Sequence, residues 1–391
     1  MSIERTSRHA ACAAFALALA TPAADAASLP QLNVSLAGNP QVVFDMMRED
    51  CDPPDVMPDV NARAFRDSSG KIVFFGLHSI NRTLRGPDLS HLKLDCHIVL
   101  DSGNDPNPAH YNDRNFITAT WTPNGKDVAA LVHHEYHADN FGRCSVKDSL
   151  GCWYNTVVAY RSADGGQNFI KAAPLVVAAA PFTQDAGQGR HRGFFNPSNI
   201  FSDGHYEYFF AATTGWDGQP YGACLFRSST PLDSASWRAY DGRAYSIRYT
   251  DPYRQPDPGV KACAQIGPFT FPVGAVVRLR RSGDWLAVFD AQHNDTLFPV
   301  DGIYYATGHD PLHWSLPKLL RAGPNLSSDS CATNVAVSYP SILAEDSTGR
   351  NFDNAGEDDA FLYFIAITMK DCQAGPRLLL RQKLKITPEA G

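Results

Sequence analysis

Residues 162–169 read Ser162-Ala-Asp164-Gly-Gly166-Gln-Asn-Phe169, and this stretch decides the fold. A small polar residue, an aspartate and a closing aromatic make a self-bonding turn. The carboxylate accepts turn N–H groups and the ring tucks beneath the sheet. Looser copies stand at Ser228–Trp237 (SSTPLDSASW) and Thr307–Trp314 (TGHDPLHW). Each follows an extended strand, a Gly or Asp turn and an aromatic-rich strand. Working outward, that hairpin recurs at Asn61–Phe75, Phe116–Glu135, Asn196–Ala212, Pro272–Asp290 and Tyr339–Ile367, the last with an acidic insertion at Glu357–Asp359. Glycine in most of the turns supplies the positive φ that tight hairpins require. Four antiparallel strands per unit, repeated radially, predict an all-β fold. The expected architecture is a five-bladed β-propeller of four-stranded antiparallel blades around a central channel. The units fall between residues 59 and 385, about 65 residues each, so large connecting loops are expected. A pair of β-sandwiches is the rival, and it does not explain the repeating turn.

Composition agrees. The 391 residues carry Lys+Arg 34 against Asp+Glu 41, a net charge of −7, with 44% hydrophobic and 19% charged residues. No Lys/Arg-rich block offers the clustered positive charge that phosphates demand, so a nucleic-acid partner is not expected. Arg5, Arg8 and His9 precede an apolar run from Ala10 to Ala20 and the small-x-small site Ala24-Asp25-Ala26. That is the layout of a signal peptide over residues 1–26, leaving 27–391 as a single propeller domain. The run is too short for a permanent anchor, so the expectation is a secreted or periplasmic protein with no membrane partner. Of nine cysteines, Cys12 leaves with the signal and eight remain. An even count in an exported chain reads as disulfides, of which 105 pairings are possible. The preferred pairing is sequential, 51–96, 144–152, 224–263 and 331–372, because each closes a short local excursion. No C-x-x-C spacing supports zinc.

SADGGQNF resembles the Asp-box of sialidases. The aspartate-to-Trp turns resemble those of the five-bladed glycosidases acting on arabinan, xylan and fructan. The segments NPSNIFSDGHYEYFF and SYPSIL look like blade starts of those enzymes. The sialidase Arg-Ile-Pro signature is absent, and five copies rather than six depart from the sialidase pattern. The resemblance covers most of the mature chain and implies a secreted glycoside hydrolase. In that family an Asp opening the first inner strand is nucleophile or base, a second carboxylate tunes it, and a Glu is the acid. By position these are Asp59, Asp113 and Glu135. The third blade opens with Asn196, where an acid would complete the pattern.

Geometry supplies an independent filter. With strands A to D counted from axis to rim, the start of A and the end of B share one face of the disc. Starts of A return Asp59, Asn61, Arg63, Asp113, Arg114, His191, Arg192, Asn196, Phe271, Ser338 and Tyr339. Ends of B return His78, Asn81, Arg82, the run His133–His137, Thr214, Trp216, Asp290, Gln292, His293 and Lys370. Within LVHHEYH, strand alternation puts His133, Glu135 and His137 on one face. Two imidazoles flanking a carboxylate would tune its proton affinity. They also form a potential metal set, though the spacing is not that of H-E-x-x-H and no metal is assigned.

Arg63, Arg82, Arg114 and Arg192 converging would bind a carboxylate or sulfate, which points to an acidic sugar. Asn196, Gln292 and His293 add polar contacts. Trp153, Tyr154, Trp216 and Tyr339 offer sugar-stacking rings. The leading expectation is hydrolysis of a poly- or oligosaccharide by a carboxylate pair, Asp59 and Glu135 dividing base and acid roles and Asp113 tuning them. A polysaccharide lyase with His133, His137 or Tyr339 as base is the alternative. A non-catalytic glycan-binding propeller is the third. No cofactor is required, and a structural calcium in the channel stays open.

Overall fold

The computed structural model describes residues 29, 32–48, 51–146, 151–183, 191–216, 218–255, 262–294, 296–347 and 349–388. The expected signal peptide lies outside them. The described chain is almost entirely β, with helix limited to short 3-10 turns.

The first strand, β1 (Leu32–Asp45), is followed by an antiparallel run of β2 (Arg63–Arg66), β3 (Ile72–Phe75), β4 (Asn81–Gly86) and β5 (Lys93–Leu100). A second run comprises β6 (Arg114–Trp121), β7 (Val128–His137), β8 (Trp153–Ser162) and β9 (Ile170–Ala178). The third contains β10 (Arg192–Phe195), β11 (Phe201–Ser202), β12 (Glu207–Thr213), β13 (Gly222–Ser228), β14 (Arg238–Tyr240) and β15 (Tyr245–Ile247). The fourth is β16 (Val273–Leu279), β17 (Trp285–Ala291), β18 (Gly302–Gly308) and β19 (Lys318–Ala322). Last come β20 (Val335–Ala344), β21 (Asn354–Ala355), β22 (Ala360–Lys370) and β23 (Gln373–Pro388), with β1 pairing outside β23.

Three features were not expected from the sequence. The pairing of β1 with β23 is one. Another is the parallel pairing of β21 with β16, Asn354–Ala355 against Arg278–Leu279, which places β21 in the sheet of the fourth run. The third is a short parallel bridge, Arg192–Gly193 against Tyr154–Asn155, that joins the second and third runs into one sheet. Gly193 makes that approach feasible: its φ is +116°, and a Cβ there would run into the Asn155 carbonyl.

Five cores lie between successive runs. Phe65, Val73 and Phe75 pack on Ile117, Ala130 and Val132. Leu131, Val157 and Ala159 meet Phe194, Phe209 and Phe226. Phe201, Phe210 and Leu225 meet Val276, Ala287 and Phe289. Val277, Leu286 and Val288 meet Ile342, Leu362 and Phe364. The fifth core, with Tyr363, Ile365 and Leu379 against Ile72, Phe74 and Leu84, returns the sequence of layers to its start. Middle strands therefore bury both faces. In β17, Leu286 and Val288 enter one core while Ala287 and Phe289 enter the next. That is why these segments read as apolar runs without clean alternation.

The turn at residues 162–169 forms as its chemistry predicts. Ser162 Oγ donates to Asp164 Oδ1 (2.6 Å), which also accepts the backbone N–H groups of Gln167 and Asn168 (both 3.0 Å). Partial burial opposes ionisation, yet these hydrogen bonds hold the Asp164 carboxyl down at about 2. Phe169 is buried against Phe75. Disulfides join Cys51–Cys96, Cys144–Cys152, Cys224–Cys263 and Cys331–Cys372, the sequential pairing. Among the described residues no helix is long and apolar enough to cross a membrane.

Candidate active site

The turn at 162–169 joins β8 to β9. At the other end of β8, a cavity of about 570 Å³ opens where inner strands begin and second strands end. Glu135 and His133 reach it from the end of β7, and Asp290 and Gln292 from the end of β17. Asn61 and Asn196 enter ahead of β2 and β11, and Tyr339 enters from β20. Asn196 and Tyr339 each precede a proline, and both take left-handed backbone, φ +46° and +60°. Such a conformation costs of order 1–3 kcal/mol and persists only where surroundings over-determine it. For Tyr339 those surroundings are visible. Its N–H donates to Asp290 Oδ2 (3.0 Å) and its hydroxyl donates to Asp59 Oδ1 (3.1 Å).

The two cavity carboxylates have different neighbours. Burial raises the Asp290 carboxyl to about 7, opposed by the Tyr339 N–H and the Ser338 hydroxyl. Its Oδ1 is buried and accepts no hydrogen bond among the described atoms. Burial, with the nearby Asp59 carboxylate, also raises the proton affinity of Glu135, while His137 and Arg114 oppose it. His137 Nε2 lies 3.0 Å from Glu135 Oε2, while His133 Nε2 stands off at 3.9 Å from Oε1.

Rings fix this arrangement. His137 stacks on Trp153 (5.1 Å between centroids), Trp153 on His191 (4.1 Å), and Phe195 leans on His191 (4.9 Å). Asn155 ties the row together. Its Nδ2 donates to His133 Nε2 (2.5 Å), and its Oδ1 accepts from His191 Nε2. These bonds place the His133 proton on Nδ1 and the His191 proton on Nε2. Burial drives both imidazoles to the neutral form, His191 down to about 3. His134, on the opposite face of β7, is likewise pushed by burial to about 3.

Of the remaining sequence candidates, several lie elsewhere. Asp59 is ion-paired with Arg377 and sits 3.6 Å from His78, behind Tyr339. Asp113 accepts the His137 N–H at 2.9 Å and is raised by burial, away from the cavity lining. The arginines do not converge on the cavity. Arg63 is buried and donates to the carbonyls of Ala62, Thr118, Pro197 and Gly274 and to Ser341 Oγ. Arg82 binds the Cys96 carbonyl and pairs with Asp55. Arg192 donates to the Gly215 carbonyl and, with Trp216, lines a neighbouring depression. His293 is taken up by Asp301 and the Phe298 carbonyl. Of the arginines only Arg114 is seen to bias Glu135, and among the described residues the cavity lining holds no Arg or Lys. The expectation of an acidic sugar in this cavity loses its support for that reason. Among the described residues no group of three His, Cys, Asp or Glu side chains is placed to hold a metal ion.

No family model matches the chain, and no curated protein matches it. Solved structures do resemble it. A thermostable family-43 glycoside hydrolase is 13% identical with a TM-score of 0.43, covering 86% of this chain and 98% of that one. The catalytic domain of an alpha-L-arabinofuranosidase from Coprinopsis cinerea is 9% identical with a TM-score of 0.46, covering 91% and 98%. An alpha-L-arabinanase from Cellvibrio cellulosa, complexed with arabinohexaose, is 12% identical with a TM-score of 0.46, covering 85% and 91%. At these identities no residue role transfers, and the chemistry rests on the side chains themselves.

Asp290 and His191 were within reach of the strand-end filter, and Trp153 of the search for aromatics. What singles them out is burial and contact, which a strand-end position does not reveal. Asn155 carried no sequence signal, since an Asn early in a strand reads as an ordinary edge residue.

Proposed function

We propose that the five runs are the blades of a five-bladed β-propeller and that the chain is an exported glycoside hydrolase. Its reaction takes place in the cavity between Glu135 and Asp290. One observation carries the reading: two carboxylates with raised proton affinity line one cavity, and their environments differ. Asp290 has no cationic partner and stays protonated up to about neutral pH, which suits a general acid. Glu135 has His137 and Arg114 favouring its ionised form, which suits the base or nucleophile. An oxocarbenium-like transition state needs one group of each kind. This keeps Glu135 from the sequence expectation but gives it the basic role and replaces Asp59 by Asp290. Asp59, paired with Arg377 and bound by the Tyr339 hydroxyl, acts as a support for the wall that holds Asp290.

The substrate is a neutral oligosaccharide unit. The lining places polar groups such as Asn61, Asn196 and Gln292 beside rings and, among the described residues, offers no Arg or Lys to a carboxylate. Four disulfides fit an oxidising compartment. The lyase alternative needs an Arg facing the base, and the described lining holds none.

The test is release of reducing ends from a panel of neutral oligosaccharides by the wild type, Asp290→Asn and Glu135→Gln. Activity is expected in the wild type and a loss of at least about a hundredfold in each variant. Cleavage that survives both substitutions would sink the assignment, and unsaturated products absorbing in the ultraviolet would turn it to a lyase.

A further inference from the structure

We infer that this chain carries a second glycan site, lined by other residues than the cavity of Glu135 and Asp290, that holds a carboxylate-bearing sugar. A cavity of about 580 Å³, as large as the first, lies between β9 and the chain that follows β15. Its charge is opposite in kind. Lys171 and Arg248 line it, together with Arg254 and Asp251.

The pairing inside it is unequal. Asp251 is taken up on several sides: it accepts the Tyr111 hydroxyl (2.8 Å) and the Tyr253 N–H (3.0 Å), and Arg254 Nε stands 3.5 Å away. His110 at the rim is paired with Asp105 at 2.7 Å. Lys171 Nζ donates to the His110 carbonyl at 2.6 Å, and Asp105 lies within its electrostatic reach. Arg248 is exposed and has no side-chain hydrogen bond or ion pair among the described residues. The described lining thus sets three cations, Lys171, Arg248 and Arg254, against one carboxylate, Asp251, in a protein whose net charge is −7. A guanidinium and an ammonium facing one space bind a carboxylate, the guanidinium through two parallel N–H donors.

The remaining wall selects a sugar over a bare anion. Exposed Pro174 and half-buried Leu175 bring apolar surface to the lining beside the cations. A pyranose ring has one C–H face to lay on such a surface and, in a uronate, a carboxylate at its edge. The two cavities then divide the work: one hydrolyses a neutral linkage, and the other grips acidic units by charge. The division of work rests on the hydrolase reading, whereas the binding concerns other residues and is tested apart from it.

Calorimetric titration of the full chain with a galacturonate trimer tests it, beside the methyl-esterified trimer, inorganic sulfate and the neutral substrate assay. The acidic trimer should bind at least about tenfold more tightly than the ester and weaken as salt is raised. Arg248→Ala and Lys171→Ala should each weaken it at least about tenfold, with hydrolysis of a neutral oligosaccharide unchanged. Lys171 has a backbone partner, so Arg248→Gln, at an exposed site, serves as the variant that leaves the fold untouched. Equal binding of trimer and ester, or binding indifferent to Arg248, overturns the inference. Sulfate binding as tightly as the trimer overturns its sugar part.

Discussion

Asp290→Asn should stabilise the protein while abolishing its reaction, and the gain should depend on pH. Burial lifts the Asp290 carboxyl from its ordinary 3.8 to about 7. Below about pH 4 the group is protonated both folded and unfolded, and contributes nothing. Between 4 and 7 the folded state keeps the proton that the unfolded state releases, so stability falls as pH rises. Above about 7 the fold must bury the charge, and the deficit levels off. A difference of about three in pKa, at ~1.4 kcal/mol each, makes about 4 kcal/mol. Asn is neutral throughout and can still accept the Tyr339 N–H, so it avoids that deficit. Denaturant unfolding of both proteins at about pH 4, about pH 6 and about pH 8 reads the difference directly. The curves should nearly coincide in shape at the acidic end and separate by several kcal/mol at the alkaline end. A difference that stays constant with pH would refute the reasoning, since it would mean that Asp290 is not desolvated in the fold.

Arg63→Met should cost several kcal/mol. It strips donors from the buried Thr118, Pro197 and Gly274 carbonyls, each worth about 1–3 kcal/mol when orphaned, against a total stability of roughly 5–15. A shift of the denaturant midpoint worth less than about 1 kcal/mol would contradict that role. His137→Ala should move the acidic limb of the rate profile upward by roughly one pH unit, because Glu135 loses the hydrogen bond that favours its carboxylate. An unmoved limb would show that His137 does not tune Glu135. Trp153→Ala should lower kcat/KM by about tenfold or more, since His137 and His191 both stack on that ring and it lines the cavity. Unchanged kinetics on a neutral oligosaccharide would show that the row of rings is only packing.

The local parts of this structure were legible in the sequence. Hairpins with glycine turns announce themselves, because each turn's backbone demand is met by a residue in the same short window. The four disulfides follow from the same locality. Pairing of β1 with β23 was not legible, since the two strands share no turn, and the alternation of LNVSL at the start of β1 marks a strand without naming its partner. The arginines show a different limit. An Arg at the start of an inner strand reads the same whether it reaches a ligand or, like Arg63, points into a nest of carbonyls. Asp290 shows the converse: its position was readable, but its chemistry comes from desolvation by residues distant in sequence.

The pairing of the first described strand with the last has a kinetic meaning. Leu32 lies opposite Pro388 and Asp45 opposite Leu378. The outermost layer of the fifth run cannot exist until nearly the entire chain is present. Every other run is assembled from neighbouring segments and can form as it is made. Joining ends so far apart carries the loop-closure entropy of the whole chain, and contacts of such high sequence separation form slowly. Until then, β1 has no strand to pair with and is open to strands of other chains. The strand that arrives first and waits longest for its partner therefore acts as a latch. Its closing marks the moment when an aggregation-prone intermediate becomes a finished protein.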